Sequence, residues 1–211
     1  MTKPNIFTVG HSNHTIDYFT DLIEAFKINC IIDVRSVAAS NYNPQYNEEP
    51  LSNALKAKEI EYLHFADEFG ARHTDPDLLD ESGQVNFERV RKTKDFKRGV
   101  ERLWQGVKKG YNMALMCSES DPVECHRFSM ISKALDEAGF DVRHIMKDKT
   151  LKLNSDLEME ILRKYNKKLP KPDMFNPCIT KEDQLLEAYR LLNKAIGFSP
   201  KISKQLEEHY D

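Results

Sequence analysis

Short apolar runs alternate with amphipathic stretches of helical period along most of this chain, and few folds satisfy that alternation. The runs are NIFTVG (5–10), CIIDV (30–34), IEYLHF (60–65), MALMC (113–117) and FDVRHIM (140–146). Each is too short for a helix and rich in β-branched or aromatic residues. Between the first two, Ile16, Phe19, Leu22, Ile23 and Phe26 recur at helical spacing behind a Thr15 cap. EEPLSNALKAKEI carries Pro50 in a first helical turn. Phe96, Val100, Leu103, Trp104 and Val107 line one face of a third helix that closes on KKG. A fourth helix is predicted over DPVECHRFSMISKALDEAG, with Asp121 as N-cap, Pro122 at N1 and Glu124 completing a capping box. The pattern predicts an α/β fold: a Rossmann-like, open, mainly parallel five-stranded sheet with helices on both faces. CIIDV and MALMC are apolar almost throughout, as central strands covered on both sides must be.

After about residue 150 the alternation stops. LKLNSDLEMEILRKY reads as a helix, LPKPDMFNP as a proline-punctuated linker, and TKEDQLLEAYRLLNKAIG as a helix capped by Thr180 and stopped at Gly197. The expected division is an α/β domain over 1–169 and a C-terminal helical extension over 170–211, packed on that domain through Leu185, Leu186, Tyr189 and Leu192. No run approaches the roughly 18 apolar residues of a membrane span, and no secretory segment opens the chain. The expected location is therefore cytoplasmic, where Cys30, Cys117, Cys125 and Cys178 stay free thiols. The formal net charge of −3 over 211 residues gives no support to nucleic acid as a partner, a local basic groove aside.

Parallel strands of an open sheet finish at one edge, and ligands bind there. The strand ends in this chain are polar. The first leaves Gly10, His11 and Ser12; the second Asp33 and Arg35; the third His64, then Asp67 and Glu68; the fourth Cys117 and Glu119, followed by Cys125, His126 and Arg127. The topology is expected to gather these into one cleft. Each has a plainer reading: a helix cap for His11 and Ser12, a buried ion pair for Asp33 and Arg35, a half-buried histidine at 64, a core thiol at Cys30.

The stretch ALMCSESDPVECHR (114–127) makes the strongest physical case for chemistry. A thiol in a first helical turn has its thiolate favoured, the more so beside Arg127 or a protonated His126. Three uses follow. One is a nucleophilic cysteine served by His126 or His11. Another is an anion site at the helix start with Arg127. The third is a metal site; the C-x7-C spacing departs from the short knuckles zinc prefers, so no metal is assigned, and no cofactor is expected.

Taken together, TVGHS, IIDVRS, NPQYN, IEYLHFADEFGAR, ALMCSESDPVECHR and VRHI closely resemble the family catalogued as domain of unknown function 488, from about Ile6 to Tyr165. The resemblance implies a Rossmann-like domain with a site built on Gly10, His11 and Ser12, on Asp33 and Arg35, and on Cys117, Glu119, Cys125, His126 and Arg127. It brings no activity with it. Relatives commonly carry basic residues between the D-V-R and N-P segments; SVAASNY here carries none. A weaker likeness is to rhodanese-type sulfurtransferases, whose cysteine loop runs more quickly to an arginine.

The first functional expectation is a hydrolase-type enzyme on a phosphate-bearing, nucleotide-like or nucleic-acid-derived substrate. Arg35 and Arg127 would hold the anion, Asp33 or Glu119 would position a hydroxyl or water, and His11 and His126 would move protons. Tyr42 and Tyr46 would stack a base. The alternatives are a non-catalytic ligand-binding or regulatory module, and thiol chemistry at Cys117 and Cys125. The sequence assigns no oligomeric state.

Overall fold

The computed structural model describes residues 3–200. Five parallel strands form the expected sheet: β1 Asn5–Gly10, β2 Cys30–Asp33, β3 Glu61–His64, β4 Met113–Cys117 and β5 Asp141–Ile145. A sixth, β6 Leu151–Leu153, pairs antiparallel with β5 at the edge. LKL therefore belongs to a hairpin and not to the helix predicted over it. Lys149 supplies the left-handed turn residue, φ 64°, and Asp148 accepts the N–H and O–H of Thr150 at 3.1 and 2.6 Å. A turn without glycine carries little sequence signal.

The strand order is β3-β2-β4-β1-β5-β6. β4 is inserted between β1 and β2, so Cys117 ends between the polar ends of those two strands. Alternation assigns the faces. Phe7, Val9, Ile31, Ala114 and Met116 face α1 (Ile16–Glu24) and α2 (Glu48–Lys56) through Phe19, Leu22, Ile23, Leu51 and Leu55. Ile6, Ile32, Val34, Met113 and Leu115 face the other way. That face is covered by Phe69 of the short α3 (Ala66–Phe69), Phe87 and Val90 of α4 (Phe87–Arg91), and Phe96 and Leu103 of α5 (Lys94–Lys108). Met130, Ile131 and Leu135 complete it from a π-helical segment, Arg127–Ser132, that runs into α6 (Lys133–Glu137). Each such side chain is worth about 1.5–3 kcal/mol of burial. Thr15 caps α1 as predicted, accepting the Tyr18 N–H at 3.3 Å.

α7 (Asn154–Tyr165) and α8 (Lys181–Ile196) share a third core, Val123, Phe128, Leu157, Ile161, Ala188, Tyr189 and Leu192. The chain beyond α8 is pinned: the Val85 N–H bonds the Phe198 carbonyl at 2.9 Å, and Gln84 Nε2 bonds the Gly197 carbonyl at 2.7 Å. Residues 201–211 of the predicted extension lie outside the described residues. Among the described residues no helix is long and apolar enough to cross a membrane.

A buried polar chain joins β1 to α8. Thr8 Oγ1 meets His144 Nδ1 at 2.8 Å, and His144 Nε2 meets Asn154 Oδ1 at 3.3 Å. Asn154 Nδ2 and the Tyr189 hydroxyl then both donate to Glu158, at 3.2 and 2.9 Å. Burial, helped by the nearby Arg127 charge, lowers the His144 pKa to about 3. An unfolded histidine titrates near 6.5, so as pH falls from 7 to 5 the unfolded chain takes up a proton that folded His144 refuses. Stability is lost in that direction, by about 2 kcal/mol from this group. Urea unfolding of wild type and His144→Gln at pH 7 and pH 5 checks it. The stability difference between the two proteins should move in the variant's favour by about that amount; an unchanged difference would refute the assignment.

Candidate functional site

The parallel ends meet as the alternation requires. Gly10 is in register with Cys117, and Asp33 with both Met116 and His64. Pairing continues past β1 and β4, with the His11 N–H on the Cys117 carbonyl and the Ser12 N–H on the Ser118 carbonyl, each at 2.9 Å. Such close approach needs Gly10: a Cβ there would sit 1.9 Å from the Glu119 carbonyl oxygen. Ser12 turns the chain away with φ 50°.

Asp33 is wholly buried and spends its carboxylate inside the protein. It accepts from Arg35 Nε at 2.9 and 3.1 Å, from Arg35 Nη2, and from the Tyr62 hydroxyl at 2.8 Å. Arg35 Nη2 also donates to the Tyr46 carbonyl at 2.8 Å, and Nη1 lies 3.3 Å from His11 Nε2. His11 Nδ1 meets the Ser12 carbonyl at 2.8 Å, so that nitrogen carries the proton and Nε2 accepts. Burial lowers the His11 pKa to about 4. Neutral, stacked on the Tyr46 ring at 4.0 Å, and bonded at both nitrogens, His11 braces Arg35 from behind. His64 does the same from the other side, with Nε2 2.8 Å from the Arg35 carbonyl.

The predicted helix from Asp121 is broken in two. Pro122–Glu124 form a 3-10 turn capped by Asp121, Cys125 is extended (φ −131°, ψ 146°), and the helical run begins after it. The cause is Arg127. It is fully buried, and its guanidinium grips the Glu119 carbonyl through Nη1 and the Ser120 carbonyl through Nη2 at 2.9 Å. That grip folds the 118–124 loop back and leaves Arg127 unable to touch a ligand. Cys125 is thus placed just ahead of the helical run, not in its first turn. Its Sγ acts as a cap, accepting the Arg127 N–H at 3.4 Å.

The fold-back brings the thiols together. His126 Nδ1 lies 3.8 Å from Cys117 Sγ and 3.7 Å from Cys125 Sγ, and the three donor atoms are all within 4.8 Å of one another. A metal ion can bridge such a triangle. His126 Nε2 is 3.1 Å from the Val34 carbonyl, and the Cys117 thiol donates to Glu119 Oε2 at 3.0 Å. Burial opposes a thiolate at Cys125, but the Cys117 thiol, Arg127 and His126 outweigh it and hold its pKa well below the ordinary thiol range. The same contact, with burial, pushes Cys117 up. Burial also opposes charge on His126; the neighbouring Cys125 outweighs it and raises the imidazole pKa. Loss of water around the carboxyl, then the Cys125 charge, raises Glu119. The arrangement can hold a thiolate beside an imidazolium, with a second thiol as proton donor.

These groups floor a cleft of about 400 Å³. Arg35, Glu119 and His126 reach it along with both thiols; Ser36, Ser40, Arg72 and Glu124 form its polar walls, and Ile196 and Phe198 close one side. Arg72 lies 5.7 Å over the Phe198 ring, and a second polar groove with Asp67 and His73 continues from Ser36 and Arg72. Sequence reasoning passed over Arg72, although it ends the DEFGAR stretch. Other predicted residues fall elsewhere. Tyr46 is 0% exposed beneath His11 and offers no stacking face, while Tyr42 is 95% exposed and lies outside the cleft walls. Glu68 is committed to Arg98 and Arg102. Cys30 is a core thiol that burial pushes up to about 12, and Cys178 is exposed.

A family model described as "Domain of unknown function DUF488" matches residues 15–135, more than half of the chain. The matched stretch takes in Asp33, Arg35 and Cys117 to Arg127, and stops short of Gly10–Ser12. No curated protein and no solved structure matches the chain.

Proposed function

The chain belongs to the DUF488 family, and from that premise, which brings no reaction with it, we propose that the protein is an enzyme with Cys125 as nucleophile, acting on a small polar substrate that carries an anionic group. One observation carries the reading: Cys125 Sγ sits ahead of a helical run, accepting a main-chain N–H, on the floor of a cleft walled by Arg35 and Arg72. That is the geometry in which a thiol is most readily used as a thiolate. The thiolate attacks the electrophilic centre, a bond to sulfur forms as the bond to the leaving group breaks, and water then cleaves the sulfur bond and restores the thiolate. His126, with Nδ1 facing both sulfurs, supplies the proton to the leaving group. The Nη1 side of Arg35 and the exposed Arg72 guanidinium anchor the anion. Asp33, His11 and Arg127 are positioning residues, since none reaches the cleft.

A nucleotide-like ligand keeps the support of Arg35 and Arg72. It loses that of Tyr46 and Arg127, which are fully buried and do not line the cleft. Alkylation separates the readings. Chelator-treated protein is exposed to iodoacetamide at pH 7 and each thiol is followed by peptide mass spectrometry. Cys125 should react at least about tenfold faster than Cys178, the exposed thiol that serves as the ordinary reference. Inorganic phosphate should slow Cys125 alone; stronger protection by AMP than by phosphate would identify a nucleotide. A Cys125 that labels more slowly than Cys178 removes the nucleophile and the proposal with it.

A further inference from the structure

We propose that Cys117, Cys125 and His126 form a binding site for one soft divalent metal ion of the zinc type. Tetrahedral zinc with bonds of about 2.3 Å to sulfur and about 2.0 Å to nitrogen sets its sulfur and nitrogen donors about 3.6 Å apart. The two sulfur-to-Nδ1 separations here are 3.8 and 3.7 Å. Both sulfur-to-nitrogen separations are therefore close to those an ion would set, and the two sulfurs lie within 4.8 Å of each other. Two thiolates and an imidazole are also the donor set that selects zinc over magnesium or calcium.

The surroundings are those of a ligand set. A metal-binding histidine donates its second ring N–H to a carbonyl or carboxylate, which aims the lone pair of the first nitrogen. His126 does this, with Nε2 on the Val34 carbonyl at 3.1 Å and Nδ1 turned to the sulfurs. Cys125 Sγ takes the Arg127 N–H, a contact that favours thiolate. The loop between the cysteines is fixed by the buried Arg127 side chain on the Glu119 and Ser120 carbonyls, so the triangle is built before an ion arrives. Glu119 Oε2, 3.0 Å from Cys117 Sγ, and the cleft both adjoin the triangle, so the carboxylate or a water from the cleft would complete the shell. A spacing of seven residues between cysteines departs from a zinc knuckle because the donors are gathered by a folded-back loop and a strand end, not by one tight turn.

Two thiolates and a neutral imidazole bind the ion, so the protons that the metal-free triangle holds on its thiols or imidazole leave as the ion binds. The site goes beyond the nucleophile reading and shares its residues: an ion on Cys125 occupies the electron pair that attack would use. Metal and covalent chemistry exclude each other there.

The test uses the full chain carrying Cys178→Ser, which removes the exposed thiol. Reduced, chelator-treated protein is titrated with cobalt(II) and watched for the visible bands of tetrahedral cobalt and a near-ultraviolet thiolate-to-cobalt band. Both should rise to one ion per chain and be displaced by zinc. They should be lost in Cys117→Ser and in Cys125→Ser. Should either variant fail to fold, the wild-type chain answers: zinc should block alkylation of Cys117 and Cys125 together and leave Cys30 unchanged. Absence of both bands, or bands indifferent to those cysteines, overturns the site. If the bands are absent while Cys125 alkylates fast, the metal site falls and the nucleophile stands. If the ion binds through both cysteines while metal-free Cys125 alkylates at an ordinary rate, the metal site stands and the nucleophile falls.

Discussion

Asp33→Ala is expected to cost the fold about 3–5 kcal/mol, the penalty for leaving a buried charge without its partner. The Arg35 side chain is buried except where it borders the cleft, and three of its contacts end on the Asp33 carboxylate. Alanine also strands the Tyr62 hydroxyl, which donates to the same carboxylate at 2.8 Å. Guanidinium unfolding measures the loss. A double variant, Asp33→Ala with Arg35→Met, should recover a large part of it, because the stranded charge goes too. A single-variant loss below about 1 kcal/mol would mean that Arg35 swings to solvent, and that the bracing of Arg35 described above is not rigid.

Arg127→Met should have the second large effect, and on two measurements at once. The Glu119 and Ser120 carbonyls lose the donors that fold the 118–124 loop back, at a stability cost of about 3 kcal/mol. The loop then relaxes and carries Cys125 away from Cys117. A cation near the sulfur goes as well. Alkylation of Cys125 at pH 7 should slow, because the sulfur loses both a neighbouring cation and its place beside Cys117 and His126, which together favour the thiolate. A variant that loses stability but keeps the wild-type alkylation rate would separate the loop from the reactivity. Arg127 would then be a core residue only.

What could be read from residues, and what could not, divides along the same lines. The β1 to β5 runs and helices α1, α2, α5 and α8 were legible because their periods are strong and their caps local: Thr15 and Thr180 cap where their side chains predict. Convergence of the strand ends followed from parallel strands alone. Strand order did not, since alternation of elements leaves open which neighbours pair. Only the structure inserts β4 between β1 and β2. The chemistry-bearing segment misled for a related reason. Asp121, Pro122 and Glu124 form a genuine capping sequence, but they cap a single 3-10 turn. A demand from the next few residues, the burial of Arg127 against the loop carbonyls, competes with the capping signal. Arginine at 127 reads as a ligand in sequence because nothing nearby announces that its partners are main-chain oxygens. Tyr46 is the converse case, an aromatic in a polar loop that closes over a core no local pattern reveals.

The wall contributed by Ile196 and Phe198 carries a consequence for biosynthesis. The thiols at 117 and 125 leave the ribosome about seventy to eighty residues before Phe198 does, at a pace of about 5–20 residues per second. For several seconds a nascent chain displays the pair with one side of its enclosure still untranslated. Oxidants, metals and electrophiles in the surrounding fluid meet those sulfurs first at that moment. Translation arrested just short of codon 198 would leave that side of the cleft without its wall.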